Sequence, residues 1–524
     1  MKNSYKNVLS AILCSAMLLT VTACGGNSAQ TSSGASETAS GSTGENGGGS
    51  ETYTTITAFC ANTASMPMTN DITVVKALSE KTKTNFDFTV SPTTGTEEKF
   101  NLMMASGDIP DMVIYVQDPI LKYTKAFAPL NDLIQENCPN YAALMEEHPF
   151  LKKDITAVDG NIYTIQSLAS LKFANCVIVR KDWLDKLNLE VPKTLEDYYN
   201  VLKAFKTGDP NGNGEQDEIP LITSVARRAD AESPGLSMFD ACWGIDEDFY
   251  LSDDGSQILF GATDPRMKEA LTYLNRLYSE GLIDPEYLTR DWASYEGLQA
   301  DEKAGMWLDW GVGVDSTLIQ NPDCDLEIIL PPEGTDGKVK VYSQMPQVRT
   351  NAMAISKDSK NKEHIMSIFN YIFSDEGYML TNYGVEGETY NMVNGEPQYV
   401  ESILNDGNGP LSALRKQGIN SWIPLKQSKG FEYTSDKFES AVSMYEKDIT
   451  APVPPLKFTD EEKSTLTSVY TGEIKTYLDE SLDSFITGKT PLSGFDAFVE
   501  NLNKMGLNDI LKIYNDAYAR YNAN

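Results

Sequence analysis

From Thr54 onward, short apolar strands and amphipathic helices take turns: strand Thr54 to Phe59, helix Ile72 to Lys81, strand Phe86 to Val90, helix Glu97 to Ala105, strand Met112 to Tyr115. This alternation leaves few solutions, because each helix carries the chain back so that the next strand runs parallel to the last. The result is a doubly wound α/β sheet. Ligands of such sheets sit at the carboxyl ends of the strands, so the loops after Phe59 and Tyr115 are expected to line a cleft. Asn62 and Asp118 lie there as candidate contacts, although both residue types also serve as ordinary turn and cap residues.

A second region begins at Cys176-Val177-Ile178-Val179 and continues through Arg180-Lys181-Asp182-Trp183-Leu184. After Pro192, Thr194 is placed to cap a helix from Leu195 to Phe205. Asp264-Pro265-Arg266 opens another helix, in which Leu271, Leu274, Leu277 and Tyr278 repeat at helical spacing up to Gly281. Two long helices close the chain. Thr459 and Glu462 form a capping box for the first, with an apolar stripe of Leu466, Val469, Tyr470, Ile474, Tyr477, Leu478, Leu482 and Phe485. The second carries Phe498, Leu502, Met505, Ile510, Tyr514 and Tyr518, with a break near Gly506. Stripes of this kind are core faces.

The first residues read as an address. Lys2 and Lys6 precede an apolar run from Val8 to Val21, and Val21-Thr22-Ala23-Cys24 supplies a small residue before a cysteine. That order marks a secretory leader, residues 1–23, with Cys24 lipidated as by palmitate, so the chain is tied to the membrane through a lipid anchor only. Residues 24–52 hold little but Gly, Ser, Thr and Ala and form a disordered tether, which at about 5 to 6 Å times the square root of its length lifts the body roughly 30 Å from the surface. The formal net charge is -32, and loss of Lys2 and Lys6 with the leader deepens it. That balance argues against nucleic acid as a partner. Cys60, Cys138, Cys176, Cys242 and Cys324 are scattered and odd in number, so they are expected to be free buried thiols rather than a disulfide framework.

One local motif points to a metal. Asp209-Pro210-Asn211-Gly212-Asn213-Gly214-Glu215-Gln216-Asp217-Glu218 sets oxygen side chains at alternate positions with glycine sixth. Ca²⁺ takes six to eight oxygens, and a loop folding back at glycine can aim them at one point. Side-chain oxygens from Asp209, Asn211, Asn213, Asp217 and Glu218, with the carbonyl of Glu215, are the expected ligands of a structural calcium ion. Pro220 stands where an EF-hand has its bidentate Glu, and no second flanking EF helix is evident.

With that loop in place, the chain resembles the lipid-anchored solute-binding proteins of carbohydrate ABC importers, in the large oligosaccharide-binding branch that includes alginate-binding proteins. The residues that carry the resemblance are Phe100 to Asp111, Asp159-Gly160-Asn161-Ile162-Tyr163, Arg180 to Leu187, Asp209 to Pro220, Asp264 to Pro285, Lys303-Ala304-Gly305-Met306 and Gly384 to Pro397. It implies a periplasmic-binding-protein-like fold (type II): two α/β lobes joined by a hinge, closing over a sugar. Residues 53–172 and 350–395 would form the first lobe, and 173–349 with 396–524 the second. Crossings would lie near Phe173 to Val179, Arg349 to Ser356 and Asn391 to Val400. The partners it implies are an oligosaccharide or sugar and ABC permease subunits at the outer face of the cell membrane, with the receptor a monomer.

Sugar binding needs flat apolar faces for pyranose C–H surfaces and planar polar groups for hydroxyls. Trp310 is the first candidate, since related sugar binders deliver an aromatic from the strand that follows Lys303; strand alternation points Trp307 the other way. Trp243, Trp292 and Trp422 follow, with Asp309, Arg349 and Tyr390 as polar candidates and Trp183 assigned to packing. Catalysis has little material: His148 and His364 are the only histidines, no Gly-x-Ser-x-Gly elbow occurs, and carboxylate pairs decide nothing among 75 acidic residues. The chain is therefore read as a binder rather than an enzyme, with a secreted glycan hydrolase and a peptide receptor as the competing readings.

Overall fold

The computed structural model describes residues 52–62, 66–92, 95–169, 175–223, 235–310, 314, 317–318, 321, 323–342, 347–421, 423–427 and 436–523, without the side chains of Asn175, Trp292, Trp310 and residues 436–439. Cys24, the tether and Trp422 lie outside the described residues. The chain lays down β1 (Thr54–Asn62), β2 (Thr84–Pro92), β3 (Met112–Val116) and β4 (Ile165–Leu168), leaves for β5 (Asn175–Arg180), β6 (Ile219–Ile222), β7 (Ala304–Trp310) and β8 (Leu326–Ile329), and returns with β9 (Val348–Ile355).

The first sheet has the order β2-β1-β3-β9-β4. β1 runs parallel to β2, from Thr54 opposite Thr84 to Asn62 opposite Pro92, and parallel to β3. Helices Thr73–Thr82 and Thr96–Ser106 are the crossovers that parallel pairing requires. β9 arrives from the other direction and pairs antiparallel with β3 and β4. Because successive side chains point to opposite faces, Phe59, Val113, Ala352 and Ala354 enter one core while Cys60, Ile114, Met353 and Ile355 enter another.

The second sheet, β8-β5-β7-β6, is mixed: β5 runs against both β7 and β8, and only β6 and β7 are parallel. Its core centres on Trp183, Phe205 and Trp307. Thr194 and Asp197 complete a reciprocal capping box for helix Leu195–Thr207, and Asp264 caps helix Pro265–Ser279. The five cysteines of the body are buried. Among the described residues no helix is long and apolar enough to cross a membrane.

The C-terminal helices follow the expected stripes with one difference. Between Asp460–Thr465 and Lys475–Ile486, residues Leu466–Ile474 form a π-helix. The buried residues Tyr470, Ile474, Leu478 and Leu482 recur every fourth position, a spacing that drifts by about 40° per step on an α-helix. The wider π turn, bonded i to i+5, unwinds the helix and keeps Tyr470 on the buried side, where its hydroxyl donates to Asp248 at 2.6 Å. Gly506, at φ 103°, makes the break before helix Leu507–Ala523.

The described chain ends at 168–169, 347 and 427 lie side by side. Ala169 N donates to Gln347 O at 2.9 Å, and Leu168 bridges to Gln427 in parallel. Residues 390–399, where the resemblance implies a crossing, form a local hairpin, Tyr390–Val393 against Glu396–Tyr399, turned by Asn394 and Gly395 at φ 55° and 91°. Tyr399, Ile403, Leu414, Ile419 and Leu425 then fill the first core, so the chain stays with the first sheet as far as Gln427. Ala441 and Tyr445 belong to the second core.

Candidate metal loop and ligand cleft

Residues 209–218 link helix Leu195–Thr207 to β6. Asp209, at φ 47°, accepts from Gly212 N at 2.9 Å through Oδ1 and from Gly214 N at 3.1 Å through Oδ2. Asn211 Oδ1 accepts from Asn213 N, and Asn213 Oδ1 from Glu215 N, so each turn is closed by a side-chain oxygen facing the loop. Gly212 and Gly214 take φ of 76° and 81°, the left-handed region that glycine tolerates. Asp217 accepts from the amides of Asn211 and Asn213 and pairs with Lys303 at 3.0 Å. Hydrogen bonds from Asn213, Lys303 and Asn211 pull its carboxyl down to about 2.

Glu218 is the anomaly. Its residue is 8% exposed and both carboxylate oxygens are buried without a hydrogen-bond partner. Burial pushes its pKa up, the nearby backbone N–H groups of Glu218 and Asn211 oppose this, and the charges of Asp209 and Asp217 add to the rise. A buried carboxylate beside two more acids is costly unless a cation joins them, and the donor set is all oxygen, which suits Ca²⁺. The residues therefore fit the ion. Among the described residues no three His, Cys, Asp or Glu side chains converge as a metal site by themselves; the fit depends on the asparagines and a carbonyl. Ile219 N donates to Lys303 O at 2.8 Å, which ties the end of the loop to the start of β7.

β7 carries two candidates. Trp307 is 1% exposed in the second core and stands opposite Ile178. Asp309, on the same face, is 8% exposed and accepts from Gln299 Nε2 at 3.0 Å, so it is an inward strut and not an open polar contact. Trp310 stands opposite Asn175, at the end of β7 and next to the first crossing.

The remaining candidates separate. Tyr390 is buried in the first core, its ring 5.8 Å from that of Tyr383, which makes it a packing residue. Trp243 packs against the second core with its ring 6.1 Å from Tyr273. Asn62, at the end of β1, accepts from Met68 N at 2.8 Å and so braces its own loop. Arg349 donates from Nη1 to Asn420 Oδ1 at 2.8 Å, and its carbonyl accepts from Gln166 Nε2; it braces the crossing strand. Asp118 follows β3 and is exposed. It lines a cavity of ≈ 530 Å³ together with Leu456, Lys457, Phe458 and Thr467.

Sequence reasoning missed Lys457, which lines that cavity, and the contacts of Gln117, Asp154 and Tyr521. Lys457 Nζ lies 3.4 Å from Gln117 Oε1, and the Tyr521 hydroxyl donates to Asp154 at 2.9 Å. Gln117 was within reach of the strand-end rule, being the residue after β3. Lys457, in an extended stretch after Pro454 and Pro455, has no local signal.

Residues 71–379 match the family model for bacterial extracellular solute-binding proteins. Lipoprotein LipO of Bacillus subtilis is 26% identical over 85% of this chain and 88% of its own length. The fructooligosaccharide ABC transporter substrate-binding protein FusA of Streptococcus pneumoniae is 26% identical over 88% and 90%, and an EF-hand mutant of FusA has been solved with fructo-nystose. The structure of the alginate-binding protein AlgQ2 without calcium ion superposes with a TM-score of 0.72 at 25% identity, covering 90% of this chain and 99% of that one. The two-lobed α/β architecture is common to these neighbours, and with more than half of its length matched the chain belongs to the bacterial extracellular solute-binding protein family.

Proposed function

We propose that this chain is the substrate-binding lipoprotein of an ABC importer, taking an oligosaccharide between two lobes and handing it to permease subunits. The lobes are 53–169 with 347–427, and 175–342 with 436–524. The side-by-side placing of Leu168, Gln347 and Gln427, where the chain would cross between lobes, supports this reading most directly, because side-by-side strands let two bodies rotate about one line without breaking either core. Contacts made only in the closed form set how far ligand shifts the population. Cys24 carries the lipid, the tether spans the gap to the outer face of the membrane, and the receptor works as a monomer. FusA and AlgQ2, by their names, bind saccharides, which agrees with this ligand class.

Ca²⁺ on Asp209, Asn211, Asn213, Asp217, Glu218 and the Glu215 carbonyl is part of the same proposal. When bound, the ion supplies positive charge to a carboxylate cluster that otherwise repels itself. The chain's own residues then hold β6 beside β7 through Lys303. Trp310 is the first candidate to meet the sugar, with Trp243, Trp292, Trp422 and Asp118 as the further candidates. A thermal-shift screen of neutral and acidic oligosaccharides, followed by small-angle scattering, tests the function: a saturable rise in Tm with a smaller radius is the expected result. Release of product sugars from the pool would instead identify a hydrolase.

A further inference from the structure

Five Asn-Gly pairs occur in the sequence, beginning at Asn46, Asn211, Asn213, Asn394 and Asn408. Glycine after asparagine leaves the following backbone nitrogen unshielded by a Cβ, so that nitrogen can reach the carbonyl carbon of the asparagine side chain. Asn46 lies outside the described residues. The fold treats the other four differently.

In the metal loop both pairs are locked. Gly212 N donates to Asp209 Oδ1 at 2.9 Å, and Gly214 N to Asp209 Oδ2 at 3.1 Å. A nitrogen bonded to a carboxylate gives up its proton less readily, because the anion left behind meets a negative charge. The side chains are held as well. Asn211 Oδ1 accepts from Asn213 N, Asn213 Oδ1 accepts from Glu215 N, and both amide groups donate to Asp217. Neither carbonyl carbon can turn toward the glycine nitrogen without breaking those bonds. At the fourth pair, Gly409 N donates to Asp406 O at 2.9 Å and the Asn408 amide donates to Asp406 Oδ1 at 3.3 Å.

Asn394 has none of these restraints. With Gly395 it forms the exposed tip of the hairpin, closed by the pairing of Val393 with Glu396. In a two-residue turn the ladder bonds belong to the flanking pair, which leaves the Gly395 N–H out of the ladder. Among the described residues no hydrogen bond joins the Asn394 side chain or the Gly395 N–H to another group. No atom lies within 4 Å of the place a Gly395 Cβ would take, so water reaches the nitrogen and the side chain is free to rotate.

We propose that Asn394 is a site of spontaneous covalent modification, the described Asn-Gly pair that the folded protein leaves reactive. Hydroxide takes the Gly395 N–H proton, and the nitrogen attacks Asn394 Cγ. A Cγ–N bond forms, closing a succinimide ring, as the Cγ–Nδ2 bond breaks and ammonia leaves with a proton from water. Water then opens the ring at either carbonyl, giving aspartate or isoaspartate at this position. Either product adds a carboxylate two residues before Glu396. Isoaspartate also routes the main chain through the side-chain methylene, adding a bond to a turn whose length fixes the register. In that register Tyr390 stands opposite Tyr399; both are buried, with rings 5.8 and 5.5 Å from that of Tyr383. The isoaspartyl form therefore loosens this corner of the first core.

The test ages the purified mature chain, with calcium, at physiological temperature in mildly alkaline buffer. Each Asn-Gly peptide is followed by mass spectrometry, with electron-transfer fragmentation to tell isoaspartate from aspartate. Conversion at Asn394 is expected to run at least several-fold ahead of Asn211, Asn213 and Asn408, to accelerate with pH and to release ammonia. In urea without calcium the four rates should converge, since the bonds that separate them are gone. The isoaspartyl fraction, isolated by anion exchange, should melt below both fresh protein and the Asn394→Asp variant, which carries the charge on an unaltered backbone. Asn211, Asn213 or Asn408 converting as fast as Asn394 in the folded chain would overturn the proposal. So would an Asn394 that converts in urea and stays intact when folded, because the hairpin would then protect it. An isoaspartyl form melting with the Asn394→Asp variant would overturn the loosening of the core.

Discussion

The Tyr521 hydroxyl donates to the Asp154 carboxylate at 2.9 Å, tying the C-terminal helix of the second lobe to helix Pro149–Ile155 of the first. Asp154 is 4% exposed. Burial pushes its pKa up to about 6, opposed by the Tyr521 hydrogen bond and the charges of Lys457 and Lys153. A carboxyl raised in the folded state holds its proton longer there than in the unfolded chain, so its favourable contribution is complete below the ordinary aspartate value and is lost as pH climbs through about 6. At about 1.4 kcal/mol per unit, the rise from 3.8 to about 6 makes the loss on the order of 3 kcal/mol. Urea titrations from pH 4 to 7 should show wild type losing that much relative to Asp154→Asn, which cannot titrate; parallel curves would mean that Asp154 is not perturbed.

Glu218 supplies a second prediction, with opposite signs in two conditions. Calcium in excess should raise Tm by several degrees, since binding at 1,000 times Kd stabilises by about 4 kcal/mol. Glu218→Gln should lose most of that rise. In chelator the order should reverse or level, because the substitution removes a buried charge that has no partner in the metal-free loop. A Glu218→Gln protein less stable than wild type in chelator would show that the carboxylate is held by something other than the ion.

The parts legible from sequence are those fixed by neighbours along the chain. The capping boxes at Thr194 and Thr459 and the alternate oxygens of Asp209 to Glu218 all involve residues within ten positions of one another. Asn394-Gly395 belonged to the same legible class, as the commonest two-residue hairpin turn, and reading it would have kept 396–425 with the first lobe. Asp309 and Tyr390 were not legible, because what removes them from an open cleft is burial against Gln299 and Tyr383 from other elements. Lys457 is likewise defined by Gln117, 340 positions away.

Packing at the root of β7 gives a third prediction. A Cβ on Gly305 would stand 2.4 Å from Phe205 Cδ2 and 3.0 Å from Trp183 Cζ3. Both rings are fully buried and packed edge to face on each other, with centroids 5.3 Å apart, so neither has room to yield. Gly305→Ala should cost about 1 to 3 kcal/mol through overpacking, seen as a lower urea midpoint with an unchanged slope. Since Lys303 and Ile219 join the metal loop to this same strand, the calcium-induced rise in Tm should also shrink. Equal stability would mean that the helix carrying Phe205 shifts to make space.

Trp307 and Trp310 lie three positions apart on β7. Trp307 fills the second core, opposite Ile178. Its replacement by Ala removes a large buried side chain and should cost about 3 to 5 kcal/mol, weakening ligand binding only through loss of folded protein. Trp310, the first candidate for the sugar, should respond in the reverse way under the receptor reading. Trp310→Ala is expected to leave Tm without ligand nearly unchanged and to weaken saccharide binding by about 30-fold or more, the loss usual for an aromatic anchor. Measuring Tm with and without ligand for both variants separates the roles: a Trp310→Ala protein that melts early, or that binds sugar as wild type does, would place this ring in the core or outside the cleft and pass the stacking role to another aromatic.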